Sequence, residues 1–347
     1  MNVLGVESSC DETAAAVVAD GRRIISNVVN SQIDIHAVYG GVIPEVAARS
    51  HLEVVIPVID QAVAKAGGWD KIDVIANTTM PGLIGSLLIG SLTARTLAII
   101  KNKPYYPIHH VEAHVYANFL GGNPPQFPFL ALIISGGHSQ IVLFRDHGDY
   151  QLIGQTADDA VGEAFDKVAK IIGLPYPGGP AISQAAINGD PLRFKLPKAH
   201  LKNKYDFSFS GLKTAVLREV QSTVGVDHTF PSTQLAAKLD EQTRYDFAAS
   251  FQYIACATLV DKLVTAVEEF KPSSVVIAGG VAANTELRRQ LRERLTVPLV
   301  YPEPSLCTDN AAMVASLGYF KAQKTQPTDP RHLDVIPSIS INQTIWG

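Results

Sequence analysis

Two stretches of the chain repeat one order of apolar and polar positions. Residues 3–18 run from an apolar segment through Glu7-Ser8-Ser9-Cys10-Asp11-Glu12-Thr13 into the apolar run 14–18. Residues 130–144 do the same around Ser135-Gly136-Gly137-His138-Ser139-Gln140. Each predicts two strands joined by a tight turn of small polar residues. A second pair also matches. Asp73-Val74-Ile75-Ala76-Asn77 leads through Pro81-Gly82 into a helix near 86–100, and Ser274-Val275-Val276-Ile277-Ala278 leads through Gly279-Gly280 into a helix near 285–294. This repetition predicts an α/β fold made of two duplicated domains with a cleft between them. The expected division is an N-terminal subdomain 1–125, a C-terminal subdomain 126–323 and an extended tail 324–347. Apolar residues at helical spacing predict a further helix over 244–270. Residues 187–234 break the pattern, being polar and proline-containing.

Composition narrows the classes. A chain of 347 residues with 46% hydrophobic and 18% charged residues is long enough for two cores. Its formal charge of −4 argues against nucleic-acid binding by bulk electrostatics. Cys10, Cys256 and Cys307 are far apart, with no CxxC, which predicts reduced thiols and a cytoplasmic location. No apolar run is expected to approach the ~18 residues of a membrane span.

Candidate chemistry begins at His109-His110-Val111-Glu112-Ala113-His114. On a helix His110 and His114 share a face and can grip one metal ion. A zinc protease carries its general base directly after the first histidine. Here that position is Val111, and Glu112 points roughly 200° away from His110. The turns at Ser135-Gly136-Gly137, Gly178-Gly179 and Gly279-Gly280 expose backbone N–H groups suited to phosphate. Neither G-x-x-x-x-G-K-[ST] nor G-x-G-x-x-G occurs. Asp309, just before a helix expected over 311–320, is either that helix's cap or a third metal ligand.

Several blocks together resemble the TsaD family, tRNA N6-adenosine threonylcarbamoyltransferases once labelled glycoproteases. They are Gly5-Val6-Glu7-Ser8-Ser9-Cys10-Asp11-Glu12-Thr13, Gly40-Gly41-Val42-Ile43-Pro44-Glu45, the His110/His114 segment, Ser135-Gly136-Gly137-His138, Asp158-Asp159-Ala160-Val161-Gly162-Glu163-Ala164-Phe165-Asp166-Lys167, Phe207-Ser208-Phe209-Ser210-Gly211-Leu212-Lys213, Gly279-Gly280-Val281-Ala282-Ala283-Asn284 and Thr308-Asp309-Asn310. The resemblance implies the actin-like, sugar-kinase and Hsp70 (ribonuclease H-like) fold. It implies metal ligands at His110, His114 and Asp309, with iron(II) ahead of zinc. It also implies contacts to threonylcarbamoyl-AMP at Ile133, Ile134, Ser135, Gly136, Gly137, Asp166, Gly179 and Asn284. The implied partners are tRNA, a paralogous heterodimer partner, a small P-loop ATPase and a separate synthase for the adenylate. Two positions depart from the family pattern, Met80 where glycine is usual and Arg95 where lysine is common.

The expected activity is transfer of the threonylcarbamoyl group to N6 of adenosine 37 in tRNAs reading codons that begin with A. Distant ends of the polypeptide are expected to meet across the interdomain gap and clasp one cation. Asp11 and Glu12 are candidates for acid–base support, against the plainer alternative of a turn capping the first hairpin. Arg193, Lys195, Lys198, Lys202 and Lys204, with Phe194, His200 and Tyr205, fit equally a tRNA-binding patch and a solvated loop. Competing functions are a metalloendopeptidase, a sugar-kinase-like or Hsp70-like ATPase, and a non-catalytic nucleotide-binding scaffold.

Overall fold

The computed structural model describes residues 1–331 and 334–343. One five-stranded sheet is built from β1 (Asn2–Glu7), β2 (Glu12–Ala19), β3 (Arg23–Ser31), β4 (Val74–Met80) and β5 (Tyr105–His109), in the order β3-β2-β1-β4-β5. The first three are antiparallel, with Val3 opposite Val18 and Glu7 opposite Ala14, while β4 and β5 continue in parallel. The second sheet contains β6 (Phe129–Ile134), β7 (Ser139–Asp146), β8 (Asp149–Gln155), β9 (Ser274–Ala278) and β10 (Leu299–Val300). Its order, β10-β9-β6-β7-β8, is the first sheet's order read from the other edge. The repeats seen in the sequence are therefore β1–β2 with β6–β7, and β4 with β9. This is the duplicated actin-like, sugar-kinase architecture that the resemblance implied.

Alternation along β1 explains the layers of the first sheet. Leu4 and Val6 join a core with Val55, Val58 and Ile59 of α2 (Pro44–Lys65) and Ala94 and Ala98 of α3 (Ile84–Lys101). Gly5 faces the other way, against α10 (Ala311–Lys324). A short α1 (Ile33–Ala37) precedes α2, and α4 (His110–Tyr116) follows β5 directly. The remaining helices are α5 (Val161–Ile172), α6 (Gly178–Ala186), α7 (Ser210–Thr223), α8 (Glu241–Phe270) and α9 (Thr285–Arg294).

The structure differs from the sequence expectations at four places. By contact the chain divides into two units: 1–128 with 144–151 and the described residues from Val300 on, and 129–143 with 152–299. The expected subdomain 126–323 thus loses α10, because α10's small residues let it lie directly on β1, β2 and β4. Second, 187–234 contains the helix α7, whose Leu212, Val216 and Val220 are buried. Its apolar stripe is too sparse to stand out among polar neighbours. Third, α3 and α8 are long and apolar enough to cross a membrane. α8 is mostly buried and α3 packs one face on α2 and β4. Fourth, Met80 needs no glycine-like backbone, since it ends β4 in ordinary extended conformation and is buried. Beyond Lys324, which ends α10, the tail lacks helix and strand among its described residues, and 332, 333 and 344–347 lie outside them.

Candidate metal centre

β5 runs without a loop into α4, so the histidines start at a sheet edge and continue around one helical turn. His109 caps α4 through its side chain, which accepts from the Glu112 N–H at 3.4 Å. His110 and His114 then lie edge to face, ring centroids 4.7 Å apart. Asp309 reaches both: its Oδ1 is 3.6 Å from His110 Nε2 and 3.2 Å from His114 Nε2. Asp309 is available because Asn310 takes the capping role on α10, accepting from Met313 N–H at 3.1 Å. The cap and ligand alternatives are thus resolved by adjacent residues doing one job each.

The donor set suits a divalent cation. Two ligand atoms each about 2.1 Å from one ion lie on the order of 3.0–3.5 Å apart, close to the spacings around Asp309 Oδ1. All three ligand atoms fall within 4.8 Å of one another. His114 is 1% exposed, and neither of its ring nitrogens has hydrogen-bond geometry to a described group. A buried imidazole left so is costly unless something else uses its lone pair. His110 is oriented from behind, with Nδ1 3.2 Å from Glu7 Oε2 and 3.1 Å from Ser9 Oγ. Glu7 is itself fixed by the Thr78 hydroxyl at 2.6 Å and the Ser9 N–H at 2.6 Å. This carboxylate–histidine arrangement aims Nε2 at the ligand position. Burial opposes a charged imidazole at His110, but Asp309 and Glu7 outweigh it and lift the group to about 9. The site is electronegative enough to hold a cation.

All three ligands belong to one unit, because α10 folds back onto β1 and β4. The expectation that the ends of the chain meet across an interdomain gap is corrected accordingly. Glu112 turns away, as its helical phase requires, and its carboxylate accepts from the Tyr150 hydroxyl at 3.2 Å. No carboxylate is placed for protease chemistry on the helix that bears the histidines.

Asp11 and Glu12 stand at the entry to β2. Burial pushes the Glu12 carboxyl up to about 8, against a 2.9 Å hydrogen bond from Ser31. Burial also raises Asp11, while the Cys10 thiol pulls it back. A raised carboxyl binds its proton more tightly folded than unfolded. The chain should therefore lose stability as pH climbs from about 4.5 to about 8. Glu12→Gln removes that dependence and should gain on the order of 2–3 kcal/mol relative to the parent between pH 5 and 8.5. Thermal midpoints measured across that range check it, and parallel pH curves for the two proteins would refute the raised carboxyl.

The second unit gathers the glycine turns. A Cβ at Gly162, in the first turn of α5, would meet Ser135 O at 2.6 Å, and one at Gly279 would meet Ile134 O at 2.4 Å. One turn further along α5, Asp166 accepts from Gly178 N–H at 2.7 Å. Gly136, Gly137 and Gly179 face open space. Ile133 and Ile134 are wholly buried in β6, main chain included, so neither presents an exposed atom to a ligand. Asn284 caps α9 by accepting from Leu287 N–H at 3.0 Å, and donates to Gln252 Oε1 at 2.8 Å and Ser183 Oγ at 3.1 Å.

Residues 193–205 do not form a free basic patch. Arg193 pairs with Asp246 at 2.6 Å, Lys198 with Asp261 at 2.6 Å and Lys204 with Glu269, all on α8. Phe194 stacks on Phe247, centroids 3.8 Å apart. Lys195, His200 and Lys202 stay exposed. Spacing could not reveal this neutralisation, because the acids lie about 50 to 65 residues downstream.

The sequence matches the family TsaD, tRNA N6-adenosine threonylcarbamoyltransferase, over residues 23–316. A protein of that description from Thermomicrobium roseum is 50% identical over 338 residues, covering 93% of each chain. Another from Dehalococcoides mccartyi is 47% identical over 342 residues, covering 98% of this chain and 99% of its own. Among solved structures, full-length HypF in its phosphate- and nucleotide-bound form aligns with TM-score 0.59 at 12% identity, over 93% of this chain and 46% of HypF. That likeness is one of fold. With sequence agreement over nearly its whole length, the chain belongs to the TsaD family of tRNA N6-adenosine threonylcarbamoyltransferases.

Proposed function

We propose that this chain moves the threonylcarbamoyl group from threonylcarbamoyl-AMP to N6 of adenosine 37 in tRNAs reading codons that begin with A, in the cytoplasm. The observation that carries the reading is the convergence of His110, His114 and Asp309 in a member of this family. The exocyclic amine of adenine is a poor nucleophile, because its lone pair is delocalised into the ring. The donor must therefore be activated, and the mixed anhydride with AMP supplies that. N6 attacks the carbamoyl carbon, the bond from that carbon to the phosphate oxygen breaks, AMP leaves, and N6 gives up one proton. His110, His114 and Asp309 would hold an iron(II) or zinc ion, which would supply Lewis-acid stabilisation of developing negative charge. No nucleophilic serine or cysteine is needed.

This chain's own groups divide the remaining work. Asp11 accepts the amine proton. Glu12, held neutral at physiological pH, donates a hydrogen bond to charge on the leaving side. Backbone N–H groups around Ser135, Gly136, Gly137 and Gly179 seat the phosphate of the adenylate, with the buried Ile133 and Ile134 leading β6 into the first of these turns. Asp166 and Asn284 hold the turns in place.

A heterodimer with a paralogous partner fits the outer face of α2 and α3. Leu52 and Ile56 project from α2, and Ile84, Leu88 and Leu92 from α3, each 40–65% exposed. Apolar residues repeated every four positions on two packed helices are a surface that expects cover. Leu88→Asp with Leu92→Asp should weaken partner binding at least ~30-fold, with metal content unchanged. Calorimetric titration with the purified partner measures it.

The decisive experiment is mass spectrometry of nucleosides from tRNA incubated with the chain, its partners and preformed threonylcarbamoyl-AMP. Threonylcarbamoyladenosine should accumulate in proportion to enzyme. If none appears, the proposed transfer is wrong.

A further inference from the structure

Behind Asp11 and Glu12 lies a chain of buried polar groups that the proposed chemistry does not touch. His36, Gln32, His51 and Thr13 are each 0% exposed. They come from three elements: Thr13 on β2, Gln32 and His36 around α1, and His51 on α2. His51 Nε2 lies 3.0 Å from the Cys10 carbonyl oxygen, which can only accept, so Nε2 carries the proton. Nδ1 of the same ring then holds a lone pair, which the Thr13 hydroxyl meets at 2.7 Å and Gln32 Nε2 at 3.5 Å. The other end of that amide, Gln32 Oε1, accepts from His36 Nε2 at 3.2 Å. His36 Nδ1 accepts in turn from the Ile43 N–H at 3.3 Å. Each hydrogen bond fixes the direction of the next, from the start of α2 to the Cys10 carbonyl.

Burying four polar side chains is costly unless all are satisfied, and apolar side chains of like size would pack as well. What the network adds is position. It grips the carbonyl that immediately precedes Asp11, while the Gln32 N–H binds the Asp11 carbonyl at 3.1 Å and Ser31 binds Glu12. Asp11 is thus held by the network at the peptide groups on both sides, with the Ser86 hydroxyl also donating to the Cys10 carbonyl at 3.1 Å, and Glu12 is held by the neighbour of Gln32. Such networks strengthen each bond by mutual polarisation and select one arrangement.

We propose that His51, oriented through Gln32 by His36, is a positioning residue of the transfer site: it holds the Cys10 carbonyl and so sets the Asp11 and Glu12 carboxyl groups. The proposal rests on the transferase reading for its kinetic consequence, but not for its structural one. Burial holds His51 below the usual histidine range, in keeping with a ring that stays neutral.

The test uses the full-length protein with His51→Leu and His51→Gln, the latter keeping an N–H able to reach Cys10. In nitrogen-15 spectra of the wild type, the rings of His36 and His51 should both show the neutral Nε2–H tautomer. The Asp11 and Glu12 amide signals should move in His51→Leu and return in His51→Gln. With partners, tRNA and adenylate, His51→Leu should lower kcat on the order of 100-fold. KM and bound metal should stay within about threefold of wild type, and His51→Gln should recover most of the rate. An Nδ1–H tautomer at His51, or equal loss in both variants matched by loss of folded protein, overturns the proposal. Wild-type protein that makes no modified nucleoside would sink the transferase reading alone, and the spectra would still decide the positioning.

Discussion

Asp309→Ala should strip the protein of its metal and lower threonylcarbamoyl transfer on the order of 10²–10³-fold. The expectation follows from geometry. One carboxylate oxygen stands 3.6 and 3.2 Å from two imidazole nitrogens, and no other carboxylate shares that cluster among the described residues. Two neutral imidazoles alone cannot offset the charge of a divalent ion. The loss should be confined to the site, because α10 is capped by Asn310 and not by Asp309. The metal-free variant should melt below the metal-free parent near neutral pH, because it loses the Asp309 charge that helps hold His110 above its usual range. Adding metal at ~100 times its dissociation constant should raise the parent's stability by about 2.7 kcal/mol and leave the variant unmoved. Glu7→Gln is the instructive contrast. Glu7 orients His110 from the far side of the ring, so its loss should weaken metal binding only about 10–100-fold. Elemental analysis after dialysis, melting with and without metal, and the transfer rate together separate these outcomes. An Asp309→Ala protein that keeps its ion and its rate would end the metal assignment.

The parts of this molecule that sequence reveals are those written in local order. A strand, a polar turn and a second strand occur twice, so the duplication and the pairing of β1–β2 with β6–β7 could be read from residues 3–18 and 130–144. His110 and His114 are legible for the same reason, four positions apart on one helix. Distance in the chain hides the rest. That α10 lies on β1 depends on Gly5 and Gly318 allowing close approach, and nothing local to either announces the other. The basic run at 193–205 fits a tRNA-binding patch and a solvated loop equally, because Asp246, Asp261 and Glu269, which pair with it, lie far downstream on α8. The His36–Gln32–His51 network is likewise invisible, since its members sit at unrelated spacings and meet only when α1 and α2 close over β2. Asp309 falls between these cases. Its type suggested a ligand, but only the fold shows Asn310 releasing it from the cap.

Gly5→Val should be the most damaging single change to the first unit. A Cβ at Gly5 would lie 2.3 Å from Ala311 O and 2.7 Å from Ala315 N, both main-chain atoms of α10. No rotamer change relieves a clash with backbone, so the helix must move away from β1. A compensating shift is blocked on the helix side, where Gly318 already sits so close to β4 that a Cβ there would be 2.5 Å from Ala76 Cβ. Overpacking of this kind costs about 3 kcal/mol or more, roughly 4 °C or more in thermal midpoint for a chain of this size. The displaced helix carries Asp309 two residues before its first turn. Metal ligands tolerate only about 0.2 Å of error, so metal affinity and transfer should fall together even in the fraction that folds. Gly211→Ala is the matched control. Gly211 is in the first turn of α7, and a methyl group added there would meet nothing within 4 Å, so alanine should be neutral or stabilise by up to about 1 kcal/mol. Should Gly5→Val melt like Gly211→Ala and retain its metal, the close seating of α10 on β1 would be wrong, and with it the route by which the fold delivers Asp309 to the histidines.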